Sequence, residues 1–292
     1  MAEGWAADAY AKLNLGLVVG DRAADGYHPL TSLAQSISWA DRVELAPAEA
    51  DAFSAEGMES TEDNLAWRAL VAVRSEATRR RAVKLHLDKR IAVAAGLGGG
   101  SADAAAVLAL AAELLGVPAE RLPDLALALG ADVPFCLSGG LAILEGRGEQ
   151  ITELPAATGY AVAVVVPPFE LATPAVYRRW DELDGPEGVP FPTAALPPSL
   201  RSFEPLRNDL QPAADALAPE LADWREDLAR RWGRPVALTG SGPALFGYFL
   251  DEEEAAAAVA GSTGRAARAA TPVSRGWSRV PGTLTDPEWG VV

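Results

Sequence analysis

The segment "AAGLGGGSADAAA", residues 94–106, sets four glycines within five positions and then continues straight into alanines. A flexible linker stays polar, whereas this segment passes from bare backbone into a strong helix-forming run. Upstream, "AVKLHLDK" (82–89) alternates Val83, Leu85 and Leu87 with Lys84, His86 and Asp88, the period of a strand. Downstream, a helix is expected from Ser101 to near Leu115, stopped by Gly116 and Pro118. In a strand, glycine loop and helix arranged this way, the first-turn N–H groups lack internal partners and the helix dipole adds positive charge. Bare backbone then lets an anion come close enough to be held by successive amides. The alternative is a tight turn with no ligand, for which one or two glycines suffice. Gly96, Gly98, Gly99 and Gly100 exceed that need, so phosphate binding is the expectation.

Three better-known loops fail on single positions. The Walker pattern needs Lys before the hydroxyl residue, and Gly100 precedes Ser101. A dinucleotide fingerprint starting at Gly96 meets Ser101 where its last glycine belongs. A nucleophile elbow around Ser101 meets Asp103 instead of glycine.

Elsewhere the pattern predicts strands at 12–20 and 41–47, a loop at "DRAADGYHPL", and a helix over 62–79. "PDLALALG" reads as a helix ending at Gly130, and "GLAILEGRGEQITEL" as a hairpin turned at Gly146 and Gly148. Near residue 155 the character changes. "AVAVVVPP" is a buried strand, "TPAVYRRWDEL" a helix with Pro in its first turn, and 185–199 a Pro-rich loop. Two helical segments flank Pro219, "RPVALTGSGPALFGYFL" reads strand–turn–strand, and "DEEEAAAAVAGS" a final helix. Two α+β domains result, 1–155 and 156–292.

The chain has 292 residues, 49 % of them hydrophobic and 22 % charged, as a folded globular protein has. A formal net charge of −15 disfavours nucleic acid as a partner but leaves room for a local anion site. One cysteine and two histidines provide no disulfide and no zinc cage of His and Cys. The amino terminus shows no signal peptide, and "YAVAVVVPPF" is about half the length of a membrane helix, so a cytoplasmic protein without a membrane partner is expected.

Two charged residues stand in apolar settings. Asp132, in "LGADVPF", is either the N-cap of a helix beginning at Val133 or a partnered functional carboxylate. Lys12, in "YAKLNLGL", sits at the mouth of an apolar strand, where a solvated surface lysine is the plain reading. "LTGSGPALFGYF" (238–249) is a hairpin turn or a second bare surface facing a ligand. Taken in order, "AKLNLGLVVGDRAADGYHPL", "DNLAWRA", "DKRIAVAAGLGGGSADAA", "LGADVPF" and "TGSGPALF" resemble the GHMP kinase superfamily over residues 11 to about 246. Within it they are similar to the branch acting on a cytidine diphosphate-linked methylerythritol in non-mevalonate isoprenoid biosynthesis.

The resemblance implies a two-domain α+β GHMP kinase fold, with ATP and substrate in the cleft between domains and Mg²⁺ beside ATP. It implies ATP-dependent phosphorylation of the substrate's 2-hydroxyl. Asp132 matches the catalytic aspartate and Lys12 the lysine that holds and polarises it. Ala94, Ala95, Gly96, Leu97, Gly98, Gly99, Gly100, Ser101 and Ala102 match the ATP loop, with Asn64 and Lys89 near adenosine. Asn14, Tyr27, His28, Thr173 and Tyr177 match the substrate side, as do Gly240, Ser241 and Gly242. The metal ligands stay open, Ser101 being one candidate, and a monomer or weak homodimer is expected. Ala92 stands where the family usually has Pro, and Tyr177 where other members use Phe. Another GHMP kinase, for homoserine or mevalonate, is the nearest rival, but "DGYHPL" speaks for a cytosine reader. A serine hydrolase built on Ser101 and His28 would leave Lys12 unexplained, and a silent nucleotide-binding module would need neither Lys12 nor Asp132.

Overall fold

A computed structural model describes residues 4–24 and 26–281. In chain order the elements are β1 (Trp5–Val19), β2 (Leu30–Ala48), β3 (Ala52–Glu56), α1 (Leu65–Glu76), β4 (Ala82–Asp88), α2 (Gly99–Leu115), α3 (Leu122–Leu129) and α4 (Val133–Ser138). They continue with β5 (Leu141–Gly146), β6 (Gln150–Leu154), β7 (Ala161–Val166), α5 (Thr173–Glu182), α6 (Gln211–Leu217) and α7 (Glu220–Trp232). The last are β8 (Ala237–Leu238), β9 (Leu245–Phe249), α8 (Glu252–Val259), β10 (Ala266–Ala270) and β11 (Trp277–Arg279). The first sheet runs β11-β1-β2-β4-β3, and β5 and β6 extend it from the other end of β2. The second sheet runs β10-β7-β9-β8.

The expected strand at 41–47 is only the end of β2, which runs for 19 residues. Its Leu30–Gln35 segment pairs with β5 and its Arg42–Ala48 segment with β4, so one strand serves two neighbours. Much of it is buried on both faces, and a strand buried on both faces loses the alternation that marks a half-exposed one. Helix α2 starts at Gly99, two residues before the expected Ser101, because Ala102 N–H already bonds the carbonyl of Gly98 at 2.9 Å. The predicted helix over 62–79 is trimmed to α1, capped by Asn64.

Helix α2 is buried on nearly every side, against α1, β1 and α4. Its Ala102, Ala104, Ala105 and Ala106 remove the bulk that would hold those neighbours apart, and Leu108, Leu110 and Leu115 fill the space beyond. Gly116 ends the helix with φ +74°, a left-handed cap. A second core lies between the two sheets, where Leu13, Ile37 and Trp39 meet Val162, Val164 and Phe246.

Strands β1 and β2 shift register between Tyr10 and Lys12 and again between Asn14 and Gly16. Lys12–Asn14 therefore forms a short island between two irregularities, the device by which a strand re-aims side chains. Its backbone turns to other partners: Lys12 N–H donates to Leu97 O at 2.8 Å, and Asn14 N–H to Thr239 Oγ1 at 2.8 Å. β1 thus stitches the glycine loop to the late glycine turn.

The chain returns to the first sheet at its end. Gly276 donates to Ser138 O at 3.0 Å and accepts from Tyr10 N–H at 2.9 Å, so residues 274–276 thread between α4 and β1 before β11 pairs with β1. A Cβ on Gly276 would overlap the Cys136 carbonyl, and one on Gly139 would overlap the backbone of Gly276. Gly276→Ala is expected to destabilise the protein by about 2 kcal/mol or more, as backbone clashes in packed positions do. Denaturant unfolding at constant slope measures it; an unchanged midpoint would mean that the segment packs elsewhere.

Candidate active site

A cleft of about 1380 Å³ opens among β1, the loop before α2, the N-terminus of α4, helix α5 and the turn at 239–242. At its floor Lys12 Nζ lies 3.3 Å from Asp132 Oδ2. The lysine side chain is 7 % exposed and the aspartate 39 %, so the acid is the partner that faces an incoming group. Asp132 occupies the N-cap position of α4 but makes no side-chain capping bond. The capping role that its sequence position suggested gives way to the ion pair with Lys12, 120 residues earlier.

Lys12 is held from behind. Its Nζ donates to Asn14 Oδ1 at 2.6 Å, Asn14 Nδ2 donates to Ser32 Oγ at 2.6 Å, and Ser32 Oγ donates to Gly16 O at 2.8 Å. Asn14 lines the cleft and supports Lys12 through one end of its amide while the other end holds Ser32.

The glycines have distinct reasons. A Cβ on Gly96 (φ +80°) would lie 2.9 Å from Thr239 O and 3.0 Å from Gly242 O, so this glycine admits the late turn. A Cβ on Gly98 (φ +68°) would lie 2.8 Å from Lys12 Cγ, so this one admits the lysine stem. A Cβ on Gly99, which is helical, would lie 3.1–3.2 Å from Ile91 and the Lys89 ammonium, whereas one on Gly100 would meet only Leu65 at 3.7 Å. Packing therefore accounts for three glycines that the sequence reading gave to phosphate approach alone. Ala95, Leu97 and Ala102 are buried and lend only backbone to the loop. Ser101 lines the cleft at the first turn of α2. Ala94 takes φ +52°, and Arg265 Nη2 donates to its carbonyl at 3.1 Å.

Lys89 does not reach the cleft. Its ammonium binds Asp41 and, at 2.8 Å, Asp103, and all three side chains are buried. Asp41 also accepts the Arg90 and Ile91 N–H groups at 2.6 and 2.7 Å, fixing the end of β4. Burial pushes the Asp103 carboxyl well above its ordinary 3.8; the Lys89 charge opposes this and that of Asp41 adds to it. Asp103 Oδ1 has no hydrogen-bond partner. Burial opposes the charge on Lys89, yet Asp103 and Asp41 outweigh it and raise its pKa. Sequence reading missed this group; its one local signal is Asp103 just past the first turn of an alanine-rich buried helix. Asn64, expected beside adenosine, does not line the cleft; its Oδ1 accepts from Ala66 N–H at 2.8 Å to cap α1.

On the other wall, Thr173, Tyr177 and Asp181 recur every four residues along α5 and line the cleft. Thr173 Oγ1 meets Ser241 Oγ at 2.7 Å, beside Gly240 and Gly242, which take φ +57° and +84°. His28 faces Gly20 O through Nδ1 and Asp181 Oδ1 through Nε2, both at 3.0 Å. Its ring stacks on Tyr177 at 5.8 Å. Both nitrogens are occupied, so the histidine ties Gly20 to α5 while it lines the cleft. Burial, with the Asp132 charge adding, pushes the Tyr177 hydroxyl up to about 12, so it stays neutral. Tyr27 is 59 % exposed and carries the Arg147 guanidinium 3.9 Å over its ring. Cys136 is buried and its thiol is pushed up, which leaves it inert. Among the described residues no cluster of three or more His, Cys, Asp or Glu forms a metal cage, and no helix is long and apolar enough to cross a membrane.

The family described as GHMP kinases N terminal domain matches residues 64–140, and GHMP kinases C terminal matches 196–262. The chain is similar to 4-diphosphocytidyl-2-C-methyl-D-erythritol kinase of Sinorhizobium medicae, 41 % identical over 86 % of this chain and 88 % of the relative. The enzyme of that name from Corynebacterium efficiens is 38 % identical over 87 % of each. A crystal structure of 4-(cytidine 5'-diphospho)-2C-methyl-D-erythritol kinase superposes with a TM-score of 0.77 at 38 % identity, over 93 % of this chain and 99 % of that one. Homoserine kinase from Cytophaga hutchinsonii shares the fold at 17 % identity, with a TM-score of 0.70 over 96 % of this chain and 98 % of that one.

Replacing Asp103 by Asn tests the buried triad. A carboxyl with a raised folded pKa costs stability as pH rises, because the unfolded chain ionises where the folded one resists. The stability of Asp103→Asn relative to wild type is therefore expected to improve as pH rises from about 4 to about 8. Denaturation midpoints across that range decide it; a pH-independent difference would show an ordinary carboxylate.

Proposed function

The chain belongs to the 4-diphosphocytidyl-2-C-methyl-D-erythritol kinases within the GHMP kinases, and from that premise we propose how its own residues perform the family's ATP-dependent phosphorylation. The protein is a phosphotransferase of the non-mevalonate isoprenoid route, and the acceptor is the 2-hydroxyl of the cytidine diphosphate-linked methylerythritol. The observation that carries the reading is the Lys12–Asp132 pair, 3.3 Å apart, beside the glycine-bordered N-terminus of a 17-residue helix.

Phosphoryl transfer asks for positioning and charge neutralisation more than covalent help. The amides of Gly98, Gly99, Gly100 and Ser101 open at the start of α2, where dipole and unpaired N–H groups favour the ATP phosphates. Asp132 accepts the proton of the attacking hydroxyl, and Lys12, locked by Asn14, keeps the carboxylate in place. Tyr27 and Tyr177 supply rings for the pyrimidine, His28 and Asp181 hold Tyr177's wall, and Thr173 with Ser241 closes the floor near Gly240. Bound with ATP, Mg²⁺ would spread the charge of the phosphates; among the described residues no acid cluster forms a cage, so phosphate and water would supply most of its ligands and Ser101 is the candidate protein ligand. Asn64 and Lys89 act toward ATP from behind, by fixing α1 and the loop flanks. The reading includes a cytoplasmic monomer or weak homodimer, divided near residue 155, with no nucleic-acid or membrane partner.

Asp132→Asn is expected to lower kcat by about 10²–10⁴ while ATP affinity stays near wild type. A variant keeping more than about a tenth of kcat would make Asp132 a structural residue. For the acceptor, labelled ATP is offered with the cytidine diphosphate-linked methylerythritol, homoserine, mevalonate or galactose. Transfer to the first alone is expected, and faster transfer to any other would overturn the substrate reading.

A further inference from the structure

Among the described residues, four cations other than histidine line the cleft: Lys12 at its floor, and Arg22, Arg147 and Arg178 around it. Lys12 is bound by Asn14 and Asp132. Arg22 donates Nε to Gly26 O at 3.0 Å, and Arg147 lies on Tyr27. Arg178 has no hydrogen bond, ion pair or ring contact among the described residues. Its neighbour Arg179 turns away and pairs with Glu182 at 2.9 Å.

The geometry of α5 explains the difference. Thr173, Tyr177 and Asp181 form the row that the protein itself uses, tied to Ser241 and His28. Pro174 and Arg178, one step round the helix and also four apart, line the cleft as the next row. Arg178 is thus presented beside the pyrimidine wall but is not consumed by it. The cleft also holds the acids Asp132, Glu149 and Asp181, in a chain of net charge −15. A substrate anchored by its base at Tyr177 and by its alcohol at Asp132 lays its diphosphate between the two, where those acids would repel it. A guanidinium with a free fork is the group that binds such an oxyanion in two-point fashion.

We propose that Arg178 grips the diphosphate of the acceptor and thereby selects diphosphate-linked alcohols over uncharged ones. The proposal rests on the functional reading above and adds to it a specificity-determining residue. Being exposed on a helix surface, Arg178 is replaceable without disturbing the core.

The test titrates CDP and cytidine into wild type, Arg178→Ala and Arg178→Lys, with a non-hydrolysable ATP analogue saturating the nucleotide side. Wild type is expected to bind CDP about 10-fold more tightly than cytidine, the worth of a charge-assisted contact. Arg178→Ala should lose most of that ratio while its affinity for cytidine holds, and Arg178→Lys should recover part of it. In turnover, KM for the cytidine substrate should rise about 10-fold in Arg178→Ala with KM for ATP unmoved. A CDP-to-cytidine ratio that survives in Arg178→Ala overturns the assignment and leaves the kinase reading standing. Wild type that binds neither ligand overturns the cytidine reading itself, and this assignment with it.

Discussion

The ammonium of Lys12 has to be kept charged and still within a strand whose neighbours are mostly apolar, and much of the cleft is arranged around that need. Two register shifts isolate Lys12–Asn14 from the regular ladder. The Asn14 amide and Ser32 hold the ammonium from one side, and Asp132 meets it from the other. Gly98 gives up its side chain so that the lysine stem can pass, and Leu97 takes the Lys12 N–H. An isolated buried charge would cost several kcal/mol, so each of these contacts is a condition on the next. The glycine loop and the Lys12–Asp132 pair are consequently one structure, with the loop's shape dictated in part by the lysine beneath it.

A second buried lysine works on the same loop from its other side. Lys89 joins Asp41 to Asp103, tying the exit of β4 to the N-terminal part of α2 across the glycine segment. Both flanks of the loop are therefore pinned by charge, while its centre is pinned by the late turn through Gly96. Pinning of this kind counts for phosphoryl transfer, because amides that must reorganise around a phosphate give back part of the stabilisation they provide. Ala92, at the place where the family resemblance led one to expect proline, stands in an entry already held by Asp41 through the N–H groups of Arg90 and Ile91.

How much of this was legible depended on how local each cause was. The strand before the glycines, the alanine helix after them, its stop at Gly116 and the hairpin at Gly146 all follow from short-range pattern and backbone preference, and all are found. The full length of β2 was hidden because burial on both faces erases alternation, and β3 and β11 because 5 and 3 residues carry too little periodicity. The family could be read from ordered motifs. The internal contacts of Asn14, His28 and Lys89 could not be. Each bonds a partner distant in sequence that no local pattern reveals: Ser32 for Asn14, Asp181 for His28, and Asp41 for Lys89. The surplus of glycine was read as the approach of a phosphate to bare backbone. Much of what approaches is the protein's own Lys12 and its 239–242 turn.

The most direct measurement of this account is a crystal structure with a non-hydrolysable ATP analogue and the cytidine diphosphate-linked acceptor bound together. The expected result places the terminal phosphate on the amides of residues 98–101 and the acceptor's 2-hydroxyl within hydrogen-bond distance of Asp132. Lys12 should still lie beneath Gly98, joined to Asn14. Phosphates bound away from the start of α2, or an acceptor hydroxyl out of reach of Asp132, would contradict it.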